Sequence, residues 1–226
     1  DDPTIFNIPA VVKVNTQGIQ STVSTSGINS PNGIAVDSDG SVYIADSQHN
    51  RIVKLTSQGA QSVVVQLGQE PFSTPYSVAV DGQRNVYAVI GNRAIIKVTP
   101  SGQQSTVVSI GSEPKPNAFL SDAIAVDSVG NVYAFYNQAS LVRYNPQGQQ
   151  MTLSSVTSEF SYGLAVDFQG NVFFGTQSAV QRRSTSGSVT TVVGGLNGPG
   201  GIVVDGNANV YIADTENKRI LKMRPF

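Results

Sequence analysis

A stretch of small and apolar residues ending in Val-Asp recurs five times along the chain, closing at Asp37, Asp81, Asp127, Asp167 and Asp205, with intervals of 44, 46, 40 and 38 residues. A unit of that length repeated in tandem cannot bury its own apolar face and must stack on its neighbours, so the period constrains the fold more than any single motif does. Within each unit, four short segments rich in Val, Ile and Tyr are bounded by Gly, Asn, Asp, Ser or Pro and read as strands, here called a, b, c and d. The a segments, Gly33–Val36, Ser77–Val80, Ala123–Val126, Gly163–Val166 and Gly201–Val204, are small or apolar throughout and call for cover on both faces. The c segments alternate instead, as in Ile52-Val-Lys-Leu55, Ile95-Ile-Lys-Val98 and Leu141-Val-Arg-Tyr144, and so belong further out, with one side chain toward water. Glycines between a and b and between c and d, such as Gly40 and Gly59, suit tight turns.

Four strands in roughly 40 to 45 residues is the arithmetic of a β-propeller blade. The expected fold is therefore all-β, a propeller of four-stranded antiparallel blades. Five a segments point to five blades. A c-like Val11–Val14 and a d-like Ser21–Ser24 come before any a or b, and the last unit stops after a c-like Ile220–Met223. The N-terminal strand is expected to supply the missing outer strand of the last blade, closing the ring and hiding its edges; the leftover c-like segment keeps six blades open. The chain of 226 residues then reads as one domain over 1–226, with closing strands in 1–28 and repeats near 29–70, 71–114, 115–157, 158–195 and 196–226.

The units Gly33-Ile-Ala-Val-Asp37, Val42-Tyr-Ile-Ala-Asp46, Asn50-Arg51 and Gly201-Ile-Val-Val-Asp205, Val210-Tyr-Ile-Ala-Asp214, Asn217-Lys-Arg219 resemble NHL repeats. The three middle units keep the strands and replace the Ala-Asp and Asn-Arg parts. The resemblance implies a disc with a binding face. Families of this look include extracytoplasmic sensor domains of bacterial receptor kinases, secreted bacterial repeat proteins, protein- or RNA-binding domains of animal regulators, and six-bladed amidating lyases and calcium-dependent lactonases.

Charge narrows that range. Fourteen Lys and Arg against fifteen Asp and Glu leave no basic field to hold a phosphate backbone, so nucleic acid is not an expected partner. No apolar run approaches the ~20 residues of a membrane span. The chain has no Cys and one histidine, His49, which excludes a disulfide scaffold and a His-rich zinc centre. No Gly-x-Ser-x-Gly elbow is present to recruit His49 into a triad, so no catalytic residue and no metal ligand is assigned.

The five repeated aspartates each precede a turn, where a carboxylate caps backbone N–H groups; this reading is taken over a ring of cation ligands. Asp46 with Arg51 and Asp214 with Arg219, five apart across a b–c loop, read as staples. The b–c and d–a loops emerge on one face of a propeller, opposite the a–b turns. Glu70, Glu113 and Glu159 fall in d–a connections, and aromatic residues gather in the same loops. A ligand face built from Tyr76, Phe135, Tyr136, Asn137 and Tyr162 with Glu70, Glu113 and Glu159 is therefore expected, for a protein, peptide or glycan. Burial between blades is the competing role for these rings, and the one taken for Phe72, Phe119 and Phe160. The functional expectation is a non-enzymatic binding or sensor propeller without a cofactor, secreted or extracytoplasmic and part of a larger multidomain protein. The alternative is a lactonase-like hydrolase or lyase with a central calcium.

Overall fold

Tight turns alternate with β-branched strands along the chain, so each strand folds back on the one before it, and the result is a series of antiparallel meanders. The computed structural model describes residues 11–15, 17–23, 26–69, 73–110, 120–136, 140–155 and 160–224. Strands β1 (Val11–Val14) and β2 (Gln20–Val23) form a two-stranded hairpin. The first sheet follows in the order β3 (Pro31–Val36), β4 (Val42–Asp46), β5 (Arg51–Leu55) and β6 (Gln61–Gln66). The second holds β7 (Pro75–Val80), β8 (Val86–Ile90), β9 (Ala94–Val98) and β10 (Gln104–Ser109). The third holds β11 (Leu120–Val126), β12 (Val132–Tyr136), β13 (Ser140–Tyr144) and β14 (Gln150–Ser155). The fourth holds β15 (Phe160–Val166), β16 (Val172–Thr176), β17 (Ala179–Arg183) and β18 (Val189–Gly194). The fifth has three described strands, β19 (Pro199–Val204), β20 (Val210–Asp214) and β21 (Arg219–Met223).

The five sheets are the blades of a five-bladed β-propeller, as the five a segments lead one to expect. Their inner strands β3, β7, β11, β15 and β19 stand around an axial channel of about 710 Å³. In four sheets the c–d pair slips by one residue, a bulge that increases twist and lets consecutive blades splay like vanes.

The core lies between blades and not within them. Each of the first four sheets sends residues from a, b and c forward into the next: Tyr43 and Ile52 meet Val78, Ala88 and Ile96; Tyr87, Val89 and Ile95 meet Ile124, Ala134 and Val142. Phe135 and Leu141 then meet Leu164 and Phe174, and Phe173 and Val180 meet Ile202 and Ile212. Burial of such side chains contributes about 2 kcal/mol each, which the turns alone could not supply.

One expectation is corrected. Among the described residues no N-terminal strand pairs with the last blade: β1 pairs with β2, and β21 pairs with β20 alone. Val11 and Val23 of the hairpin instead pack on Ile44, Val53 and Leu55, the back of the first sheet.

Candidate functional site

The two ends of the blades carry different chemistry. At the a–b end, one device is built five times. Asp37 accepts the N–H groups of Asp39 and Ser41 at 3.0 and 2.9 Å and the Tyr43 hydroxyl at 3.0 Å. Asp81, Asp127 and Asp205 accept the equivalent two N–H groups, an Asn side chain four residues on (Asn85, Asn131, Asn209) and a tyrosine hydroxyl six residues on (Tyr87, Tyr133, Tyr211). Asp167 does the same with Gln169 and Asn171 but faces Phe173, which has no hydroxyl. The carboxylates are thus turn caps, as their position before each turn implies. The Asp-to-Tyr spacing of six was the signal available in the sequence for the hydroxyl contact.

These networks set the local titrations. Burial pushes Asp37 upward, but the Ser41 N–H, the Tyr43 hydroxyl, the Asp39 N–H and Lys54 together hold its carboxyl below the usual range. The Asn209 side chain does most to hold Asp205 low, against its desolvation. Burial, then the Asp127 charge and its hydrogen bond, push Tyr133 up to about 12, and burial, then the Asp81 charge and its hydrogen bond, raise Tyr87.

The opposite end is the b–c and d–a face. A 3-10 turn, Ser47–His49, follows β4 and ends on Asn50 in the left-handed region, at φ 49°. Asp46, with no exposed surface, accepts the Asn29 N–H at 2.8 Å and Arg51 Nε at 2.7 Å, and His49 Nδ1 lies 3.0 Å away. Since a carboxylate only accepts, Nδ1 carries the hydrogen, and His49 remains half-exposed. The fifth blade repeats the device: Asp214 accepts the Asn197 N–H at 2.8 Å, Asn217 Nδ2 at 2.9 Å and Arg219 Nε at 2.7 Å. In both blades a buried carboxylate ties the b–c loop to the d–a segment beside it. Ser47 Oγ extends the stitching to the Pro75 carbonyl of the second blade, at 2.6 Å.

The Asn197 N–H does most to lower the Asp214 carboxyl; desolvation opposes it, and Asn217 and Arg219 assist. A carboxylate held low in the folded state stabilises the fold above its unfolded value near 4, and that contribution disappears as pH falls through the folded value. Asp37, Asp205 and Asp214 all have this sign, so the melting temperature is expected to hold from neutrality to about pH 4 and to decline below it. Thermal melts against pH check this. Asp214→Asn should flatten the acid limb, and an unchanged slope would remove Asp214 from the account.

The anticipated ligand residues fare unequally. Tyr76 and Tyr136 are partly exposed at the loop-face ends of β7 and β12; Tyr76 lines the channel, and Tyr136 leans on the core between the second and third blades. Phe135 is 1% exposed and meets Phe174 edge to face at 6.2 Å between ring centroids, so it plugs the seam between blades and offers nothing to a ligand. Asn137, Glu70, Glu113 and Glu159 lie outside the described residues, as do Phe72 and Phe119. Tyr162 and Phe160 are on β15, with their side chains outside the described set. The channel wall is largely aliphatic, with Val36, Val80, Val126, Val166 and Val204 around it. Among the described residues no three His, Asp or Glu side chains converge as metal ligands. No helix among them is long and apolar enough to cross a membrane.

Radial meanders around a channel, with buried carboxylates stitching one loop face, define a β-propeller of repeat type. The NHL repeat family profile matches residues 29–55 and 196–223, the blades that carry the Asp46 and Asp214 staples. The chain is a five-bladed β-propeller whose first and fifth blades match the NHL repeat. No curated protein matches its sequence. Among solved structures it is similar to a chain of a nidogen/laminin complex, with 18% identity and TM-score 0.74, covering 91% of this chain and 80% of that one. It is also similar to a catalytically inactive virginiamycin B lyase from Staphylococcus aureus crystallised with quinupristin, with 18% identity, TM-score 0.67 and coverage of 95% and 77%. A gluconolactonase from Xanthomonas campestris shares 12% identity at TM-score 0.71, with coverage of 90% and 75%. Identities this low carry the fold alone.

Proposed function

We propose that the chain is a binding propeller that engages a protein through its b–c and d–a loop face, outside the cytoplasm. The observation behind this reading is the stitching of that face. Two carboxylates without exposed surface, Asp46 and Asp214, fix the b–c loops to the d–a segments beside them. A face already held in one shape loses little conformational freedom on association, and that favours binding without new chemistry. Tyr76 and Tyr136 stand at its edge as amphipathic contacts of the kind that dominate interfaces. The similarity to a chain found in a nidogen/laminin complex supports a protein ligand, and the low charge with abundant Ser, Thr, Gln and Asn supports work outside the cytoplasm.

Short random peptides displayed on phage and selected on the native protein provide the test. Clones that bind the wild type should lose at least about tenfold in affinity, or about 1.4 kcal/mol, on the Tyr76→Ala, Tyr136→Ala double variant, whose melting curve stays close to wild type. Clones indifferent to both substitutions place recognition elsewhere. A collapse of the melting curve makes the two rings structural.

A further inference from the structure

Two Asn-Gly pairs occur in the chain, Asn32-Gly33 and Asn197-Gly198. At such a pair no side chain shields the backbone nitrogen that follows asparagine, so this nitrogen can reach the side-chain carbonyl carbon and close a succinimide ring. The fold treats the two pairs in opposite ways. Asn32 and Gly33 lie inside β3, where a side-chain atom at Gly33 would come within 2.7 Å of Ser77 Cα and 2.8 Å of the Val78 nitrogen. That backbone is wedged against the second blade and cannot turn toward the ring geometry. Asn197 and Gly198 lie between β18 and β19, outside any strand. Asn197 is exposed, and its side-chain amide makes no hydrogen bond among the described residues. Gly198, at φ 59°, is restrained by one long contact, its N–H donating to the Gln177 carbonyl at 3.3 Å.

The first blade carries a built-in comparison. Asn29 stands where Asn197 does: its N–H donates to Asp46 as that of Asn197 donates to Asp214, and its carbonyl accepts the Gln48 N–H as that of Asn197 accepts the Glu216 N–H. Ser30 follows it at φ 53°, close to the value at Gly198. The two loops share these contacts and differ in the residue that supplies the attacking nitrogen.

We infer that Asn197 is a site of spontaneous deamidation, and that its conversion releases the loop-face staple of the fifth blade. The Gly198 nitrogen gives up its proton and bonds to Asn197 Cγ; the Cγ–Nδ2 bond breaks, and ammonia leaves with that proton. Water then opens the ring. Cleavage between Cγ and the nitrogen yields aspartate, whereas cleavage between the backbone carbonyl carbon and the nitrogen yields isoaspartate, with the chain now running through the former side chain. Water is consumed and ammonia released, with no oxidant or reductant. Either product places a new carboxylate near Asp214, which has no exposed surface, and near Glu216, whose Cγ lies 3.3 Å from where a Cβ of residue 198 would stand. Like charges repel there, and in isoaspartate the carbonyl that accepted the Glu216 N–H leaves the main chain. Both effects loosen the hold of Asp214 on the d–a segment. This holds whatever the face binds.

Peptide mapping by mass, on native protein incubated at mildly alkaline pH and on a parallel sample in urea, is the test. Folded, Asn197 should convert at least about tenfold faster than Asn32 or Asn29, a barrier difference of about 1.4 kcal/mol, while in urea the two Asn-Gly pairs should converge. Gly198→Ser should slow Asn197 about tenfold, the serine being held as Ser30 is. Ser30→Gly adds no side chain and should speed Asn29 by a similar factor. The converted protein, separated by its added charge, should exchange the amide hydrogens of Glu216 and Lys218 about tenfold faster than the unconverted fraction. Equal rates at Asn197 and Asn32 in the folded protein, or a rate at Asn29 that Ser30→Gly leaves unchanged, overturn the assignment of the site. Unchanged exchange after conversion overturns its coupling to the staple.

Discussion

Replacing Gly163 by alanine is expected to destabilise the propeller by about 3 kcal/mol or more, lowering the melting temperature on the order of 10 °C. The added methyl group would meet the Gly200 carbonyl oxygen and come within 2.6 Å of Ile202 Cγ1, so the inner strands of the fourth and fifth blades would have to separate. Backbone held by sheet hydrogen bonds cannot give way as a side-chain end can. Gly201→Ala is the matched control, on the adjacent inner strand with open space before it, and should stay within about 0.5 kcal/mol of wild type. Chemical denaturation of both variants decides the matter; equal losses would show that glycine is needed for strand conformation and not for close approach.

Asp46→Ala is expected to cost about 3 kcal/mol, because it strands several groups at once. The Arg51 guanidinium, 21% exposed, loses its carboxylate, and the Asn29 N–H and His49 Nδ1 lose their acceptor. Asp46→Asn should recover part of the loss, since one amide oxygen can still accept the Asn29 N–H. The equivalent change at Asp214 should be milder, because Arg219 is 52% exposed and water can take over its solvation. If both alanine variants melt with the wild type, the staples are ornamental and the case for a pre-shaped loop face fails.

Much of this was legible from residue order. The Val-Asp endings located the inner strands because a small or apolar run followed by a carboxylate is what a strand buried on both faces and a capped turn both require. The five-residue step from Asp46 to Arg51 is short enough that only a hairpin loop can bring the two together, so that pair could be read as well. The Tyr43-type hydroxyl contact was missed because tyrosine in a strand reads as apolar area, although its spacing of six from the aspartate recurs in four units. Phe135 could not be divided between plug and ligand contact because it is the next-to-last residue of its strand, where alternation gives a face but not what stands opposite. The hairpin went astray for a different reason. A c-like pattern specifies a strand with one wet face, and it fits any sheet edge or apolar back it can reach.

The arrangement of the clusters also governs how the molecule comes apart. Each blade leans only on the vanes beside it, so cohesion accumulates along an arc, as in a row of books, and the middle volumes are gripped from both sides. Among the described residues the fifth blade is gripped from one side only. Fraying should begin there, leaving a spine of second, third and fourth blades as the last part to melt.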